Sequence, residues 1–152
     1  MKKWFLAKIR YEKTDEKGMT RKVTESYLVD ALSFTEAEAR IIEEMTPFIS
    51  GEFTVSDIKR ANYSELFPCE EEAADRWFKC KLVFITLDEK SGAEKKTSTQ
   101  VLVQAADLRD AVKKLDEGMK GTMADYQIAS VAETAIMDVY PYSAEPDDKP
   151  EV

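Results

Sequence analysis

The sequence predicts an α+β protein built from a tandem duplication of a β-β-α-β unit. The stretch from Trp4 to Met45 returns, with one inserted residue, from Trp77 to Met119. Such self-similarity at a fixed spacing indicates an internal repeat. The matching pairs are Trp4 and Trp77, Phe5 and Phe78, Lys8 and Lys81, Lys22 and Lys96, Ala37 and Ala111, and Met45 and Met119. We therefore expect antiparallel sheets with one helix per repeat, related by a pseudo-two-fold axis.

Each repeat opens with a pattern typical of a β-hairpin. In residues 4–12 the apolar side chains alternate, with Phe5, Ala7, Ile9 and Tyr11 on one side. Alternation at period two indicates a half-buried strand. A polar turn that ends in a glycine follows each first strand, and a second alternating run follows the turn.

A helix is predicted after each hairpin. Ser33 and Glu36 have the spacing of a capping box, and Asp107 takes the capping position in the second copy. The apolar stripes that would face the sheets are Phe34, Ala37, Ile41 and Met45 in one helix and Leu108, Ala111, Leu115 and Met119 in the other. Helix ends are indicated by Pro47 and Gly51 in the first copy and by Gly118 and Gly121 in the second.

A third strand should follow each helix. The apolar pairs Val55 and Ile58, and Ile128 and Val131, are both three residues apart, which breaks strict alternation at the same place in each copy. This break predicts a β-bulge. A short helix is the alternative interpretation of the same spacing.

The predicted domain boundaries follow from these patterns. They are 1–67 for the first repeat, 68–76 for an acidic linker, 77–140 for the second repeat and 141–152 for a disordered tail. Because a unit of about 70 residues buries little surface alone, we expect the two repeats to share one core in one compact body. The predicted core is Phe5, Ile9, Val29, Phe34, Ile41, Phe78, Leu82, Val103, Leu108 and Leu115. Open sheet edges further predict a homodimer or a higher closed oligomer.

Composition narrows the classes of function. The 152 residues carry a net charge of −8, no histidine, two cysteines and five glycines. These counts remove Ser-His and Cys-His catalysis, His-ligated zinc and glycine-rich phosphate loops. We expect no catalytic residues, cofactor or metal site, two free thiols, no membrane span and a cytoplasmic location.

One candidate ligand surface comes from the side of each hairpin that faces away from the helices. Its residues are Trp4, Lys8, Arg10, Trp77, Lys79 and Lys81. Indoles can stack on bases while Lys and Arg bind phosphates, so a nucleotide or another anionic small molecule would fit. The structural alternative is an ordinary solvated sheet face whose tryptophans fill the edge of the core.

Two other partner classes stay open. A partner protein could bind the acidic helix faces. Single-stranded nucleic acid would need a long basic track, which the charge of −8 opposes.

Several segments together resemble a known protein family. They are the runs Lys22–Arg40, with its Glu36-Ala37-Glu38 motif, Asp57–Glu65 and Trp77–Leu82. The chain resembles, nearly throughout up to Tyr140, an uncharacterised domain-of-unknown-function family (four-four-nine-four) of Bacteroides-type gut bacteria and their phages. The resemblance implies a phage or mobile-element setting, in which small non-enzymatic accessory proteins are frequent. In such a setting the partner protein would be a host or phage protein. The resemblance carries no site residues.

Overall fold

The computed structural model describes residues 3–122 and 125–141, and it is an α+β structure. In these ranges the chain forms eight strands and two helices. They are β1 (Trp4–Thr14), β2 (Thr20–Asp30), α1 (Phe34–Met45), β3 (Phe53–Ala61), β4 (Glu65–Phe67), β5 (Arg76–Leu87), β6 (Glu94–Ala105), α2 (Leu108–Gly118), β7 (Asp125–Glu133) and β8 (Ile136–Tyr140). Beyond Pro141, the predicted disordered tail of 141–152 lies outside the described residues.

The chain divides into two units, each with a four-stranded sheet. Unit 1 contains the chain up to Asn62 together with β8, and its strand order is β3-β1-β2-β8. Unit 2 runs from Tyr63 to Ala135, with the order β4-β6-β5-β7. In each sheet the hairpin strands are antiparallel and the short strand, β8 or β4, runs parallel to the second hairpin strand.

The short strands β4 and β8 pair with strands that are far away from them in the chain. Residues 65–67, which the sequence places at the end of the first repeat, pair with Val101–Val103 of β6. Tyr140, at the end of the second predicted repeat, is opposite Val29 of β2. Both sheets are therefore completed by a strand from a distant part of the chain.

Both predicted helix caps form. The Ser33 hydroxyl accepts the amide of Glu36 at 3.1 Å, and the Asp107 carboxylate accepts the amide of Asp110 at 2.8 Å. The acidic residue of each first turn reaches back to the amide that precedes its cap, from Glu36 to Leu32 and from Asp110 to Ala106. The amides that a helix start leaves unpaired are thereby satisfied in the same way in both units.

The predicted bulges are also confirmed. Lys8 is opposite Asp57 and Ile9 is opposite Val55, so Ser56 is the extra residue of β3. The same register shift between Lys81 and Leu82 leaves Ala129 as the extra residue of β7. The alternative of a short helix at these positions is therefore wrong.

Each unit contains its own hydrophobic cluster under its helix. Ile9, Tyr27, Ile41 and Met45 pack together in unit 1, and the cluster of unit 2 is Cys80, Leu82, Val101, Val103, Leu115 and Met119. Eight of the ten predicted core residues are buried: Phe5, Ile9, Val29, Ile41, Phe78, Leu82, Val103 and Leu115. Both cysteines are free thiols, and burial raises the pKa of the Cys80 thiol to about 11.

The prediction that Phe34 and Leu108 are core residues is wrong. Their side chains are 53% and 52% exposed. Each is the first helical residue after the cap. Side chains at a helix start lean back past the helix end, where little of the sheet lies beneath them. The Phe34 ring still touches the buried Phe5 ring edge-on, with 4.9 Å between the ring centroids.

The connection between β4 and β5, interpreted above as an acidic linker, is tied to unit 2 at several points. Lys114 of α2 lies 2.6 Å from a Glu71 carboxylate oxygen and 2.9 Å from Asp110. The Cys69 amide donates to the Gln104 side chain at 2.9 Å, and Ala74 is buried. The hydrogen bonds to Asp110 and Glu71 raise the pKa of Lys114, and Lys114 in turn lowers the pKa of both carboxyls.

Equivalent hydrogen bonds from the helix are present in unit 1. Arg40 of α1 donates to the carbonyl of Asp30 and, at 3.1 Å, to the carbonyl of Pro141, just after β8. In each unit a cation on the helix therefore holds the chain where it leaves the short parallel strand. A neutral residue at either position would leave that segment attached by fewer charged contacts.

Candidate functional site

The six residues of the predicted ligand surface divide between the two units. Trp4, Lys8 and Arg10 lie in β1, and Trp77, Lys79 and Lys81 lie in β5. Trp4 and Trp77 are only 5% and 4% exposed. Both tryptophans are therefore buried, and they offer little ring surface on which a ligand could stack.

The basic residues of β1 have mixed surroundings. Lys8 is opposite Ser26 on β2 and the acidic residue Asp57 on β3. Arg10 is exposed and is opposite the threonines Thr24 and Thr54. The anion-attracting charge on this sheet face therefore rests mainly on Arg10.

The basic residues of β5 are better placed for an anion. Lys79 and Lys81 are both exposed on a central strand. Lys79 is opposite Leu102 and Ala132, and Lys81 is opposite Gln100 and Ser130. Their directly opposite neighbours are uncharged, and two of them can donate hydrogen bonds.

A groove that the sequence did not predict runs between α1 and β3 in unit 1. It consists of two cavities of about 290 and 480 Å³, and both are lined by Glu38 and Val55. The first cavity is also lined by Phe34, Thr35, Asp57 and Ile58, and the second by Ile42, Thr46, Gly51, Glu52, Phe53 and Thr54. We call these two cavities together the α1–β3 groove.

The helix side of the groove combines apolar and acidic groups. Phe34, Glu38 and Ile42 are four residues apart, so they share one face of α1. Phe34 is 53% and Ile42 is 42% exposed, which is high for large apolar side chains. Counted from the helix caps, the positions of Glu38 and Ile42 hold Val112 and Asp116 in α2.

The strand side of the groove is a sheet edge. β3 is the first strand in the order β3-β1-β2-β8, so only β1 pairs with it among the described strands. Such an edge offers backbone donors and acceptors to another chain. Among the described residues, the charged side chains that line the groove are Glu38, Glu52 and Asp57, all acidic.

Comparison with protein-family models identifies the family of the chain. The family model described as domain of unknown function (DUF4494) matches residues 3–142. The chain belongs to the DUF4494 family. A comparison with curated proteins finds no match. The family match spans residues of both units, so the DUF4494 domain includes both sheets and both helices.

The described part of this DUF4494 domain shows neither a metal-binding cluster nor a membrane-spanning helix. In residues 3–122 and 125–141, no group of three or more Asp, Glu or Cys side chains is placed to hold a metal ion. Neither helix in those ranges is long and apolar enough to cross a membrane. The concave α1–β3 groove and the lysine pair of β5 are the two surfaces considered for the function of the protein.

Proposed function

We propose that this DUF4494 protein is a non-enzymatic binding protein whose α1–β3 groove binds a segment of a partner protein. The segment carries apolar side chains beside lysine or arginine. This is the protein-interaction function expected from the acidic helix faces. The observation that carries it is a concave surface in which exposed apolar groups and carboxylates alternate along one helix face.

Charge and shape both support this occupant. Glu38, Glu52 and Asp57 create a negative potential along the groove, which favours a basic segment and speeds its encounter. Phe34 and Ile42 supply exposed apolar surface, and its burial against a partner would be favourable. An extended segment could also pair its backbone with the edge of β3, a common mode of peptide recognition.

Selection from a random peptide library displayed on phage tests the proposal. We expect the selected peptides to combine apolar residues with Lys or Arg, because both chemistries line the groove. In calorimetric titrations of these peptides, Glu38→Lys should weaken binding by about tenfold or more, since attraction is replaced by repulsion.

The matched control is Asp116→Lys, which makes the same change of charge at an exposed position of α2. It should leave the affinity close to that of the wild type. Equal weakening by both variants would show a general charge effect, and selection of acidic peptides would exclude the groove as the binding surface.

A second candidate function is binding of a nucleotide or another anionic small molecule at Lys79 and Lys81. It is supported by the uncharged residues opposite both lysines, which leave their charges uncompensated across the strands. Gln100 and Ser130 would add hydrogen bonds to phosphate oxygens. Burial of both tryptophans removes the stacking contribution first expected for this surface, so we place it second.

A panel of nucleotides, cyclic oligonucleotides and short single strands tests this second function by calorimetry. The double variant Lys79→Glu/Lys81→Glu should abolish any binding to the wild type. Lys113→Glu/Lys120→Glu, with the same change of charge at two exposed lysines, should preserve it. Binding that survives the first variant, or a panel without any binder, would refute the lysine-pair proposal.

We also propose that the two halves arose by duplication of one ββαβ unit. The matching caps, the matching bulges and a positive-φ glycine in each hairpin turn, Gly18 and Gly92, support this origin. The phage or mobile-element setting, the cytoplasmic location and the homo-oligomer stay predictions.

A further inference from the structure

A second cavity in unit 1 lies between the end of α1 and the edge strand β8. Its volume is about 270 Å³, and it is lined by Tyr27, Met45, Phe48, Met137, Asp138 and Tyr140. Phe48 is 76% and Met137 is 54% exposed, so two large apolar side chains stand at its opening. The cavity is separate in its lining from the α1–β3 groove.

Two tyrosine rings form an aromatic wall of this cavity. Tyr27 and Tyr140 stack with 5.9 Å between ring centroids and an angle of 30°. The Tyr27 hydroxyl donates to Glu25 at 3.0 Å, and the Tyr11 hydroxyl donates to the same carboxylate oxygen at 2.9 Å. These hydrogen bonds fix the orientation of the Tyr27 ring.

Carboxylates lie beside the aromatic wall. Asp138 lines the cavity, and its carboxylate accepts the amide of Val139 at 2.8 Å, which orients it. Burial and then the charges of Asp138 and Glu44 raise the pKa of Tyr140 to about 12. The wall therefore lies in a negative potential.

Unit 2 shows that the fold does not need the tyrosines of this region. In unit 1 the strands β2 and β8 place Tyr27 opposite Asp138 and Val29 opposite Tyr140. In unit 2 the equivalent strands β6 and β4 place Val101 opposite Glu65 and Val103 opposite Phe67. Val101 and Phe67 thus take the places of Tyr27 and Tyr140. The hydrogen-bonding residues beside Tyr27 are also replaced. Thr99 takes the place of Glu25, since Leu82 is opposite Thr99 as Ile9 is opposite Glu25. Phe84 takes the place of Tyr11, since Phe84 is opposite Thr97 as Tyr11 is opposite Val23.

The helix position that faces this region differs in the same way. Counted from the caps, Glu44 of α1 corresponds to Gly118 of α2. A β-carbon on Gly118 would lie 2.9 Å from the Phe67 ring, so that ring occupies the space itself. In unit 2 the Phe67 ring therefore packs directly against the helix at Gly118, where unit 1 has the acidic residue Glu44.

We propose that the cavity of unit 1 binds a small organic cation with alkyl groups on its nitrogen. A trimethylammonium group would contact the ring of Tyr140, which stacks on the buried Tyr27, and balance the charge of Asp138. The methionines and Phe48 would contact its alkyl groups. A primary ammonium fits less well, because it needs hydrogen-bond acceptors on several sides.

Calorimetry with choline and with Nε-trimethyllysine amide as probes tests this site. The neutral isostere 3,3-dimethylbutan-1-ol, which has nearly the same shape, is the control ligand. We expect choline to bind at least about tenfold more tightly than the alcohol, because cation–π and charge contributions are lost with the positive charge. Tighter binding of the lysine derivative than of choline would indicate that the trimethylammonium group belongs to a methylated lysine side chain.

Matched variants assign any binding to this cavity. Asp138→Asn should raise the dissociation constant of choline about tenfold, and Tyr140→Leu should abolish binding, whereas Tyr140→Phe should retain it. Glu65→Gln, at the corresponding place in β4, should have no effect. Equal binding of choline and the alcohol, binding unchanged by Asp138→Asn, or no binding by either cation would overturn the proposal.

Discussion

Replacing Leu115 with alanine is expected to lower the free energy of unfolding by about 2–5 kcal/mol. Leu115 is fully buried in the cluster of unit 2, against Leu82, Val101 and Val103 among others. The variant loses the transfer free energy of the removed atoms and leaves a cavity that the neighbouring side chains fill only in part. Urea denaturation followed by circular dichroism measures the change.

Leu108→Ala is the matched control for this prediction. Both leucines lie on the apolar stripe of α2 that the sequence predicts to be buried, but Leu108 is 52% exposed. Its removal should cost less than about 1 kcal/mol, because much less apolar area is returned to water. Equal losses of stability for the two variants would contradict the burial described here.

Truncation after Ala135, which removes β8, is expected to destabilise unit 1 by about 3 kcal/mol or more. Ile136 is buried, and Tyr140 packs on the clusters that contain Tyr27 and Val29. Without β8, the outer side of β2 loses its parallel partner and these side chains lose their cover. Amide hydrogen exchange of β2 should become much faster.

Truncation after Pro141 is the control, because it retains all the strands of residues 3–122 and 125–141 and the Arg40 hydrogen bond to the Pro141 carbonyl. Exchange in β2 should then match that of the full chain. If β2 exchanges at the same rate in the full chain and in the chain without β8, the short parallel strand does not contribute to the stability of unit 1.

The local elements could be predicted from sequence because each depends on residues close together in the chain. Ser33 and Asp107 lie three residues from the amides they cap, and the hairpin turns fix the register of their strands. The bulges were readable because one extra residue shifts the alternation of Val55 and Ile58. These signals need no tertiary information.

The sheet partners of β4 and β8 could not be predicted in the same way. β4 has three residues and β8 has five, too few for a period to be recognised. Their partners lie far away in sequence, and a parallel pairing has no connecting turn that would signal it. The prediction that Phe34 and Leu108 are buried was wrong for a related reason. A periodic stripe on a helix does not show which of its positions the sheet covers.

The candidate site was only partly visible in the sequence. The acidic character of α1 indicated a surface for a partner, but the groove depends on how the helix lies against the edge strand β3. The predicted basic surface kept its exposed Lys79 and Lys81, whereas both tryptophans proved to be buried. Strand alternation identifies the two faces of a sheet, but it does not tell which parts of a face meet solvent.

Hydrogen exchange with and without a saturating peptide selected on the wild-type protein tests the proposed function most directly. The proposal predicts slower exchange confined to α1 and β3, in residues 34–46 and 53–58, where the groove lies. Slower exchange confined to residues 77–81 and 98–102, around the lysine pair of β5, would contradict it.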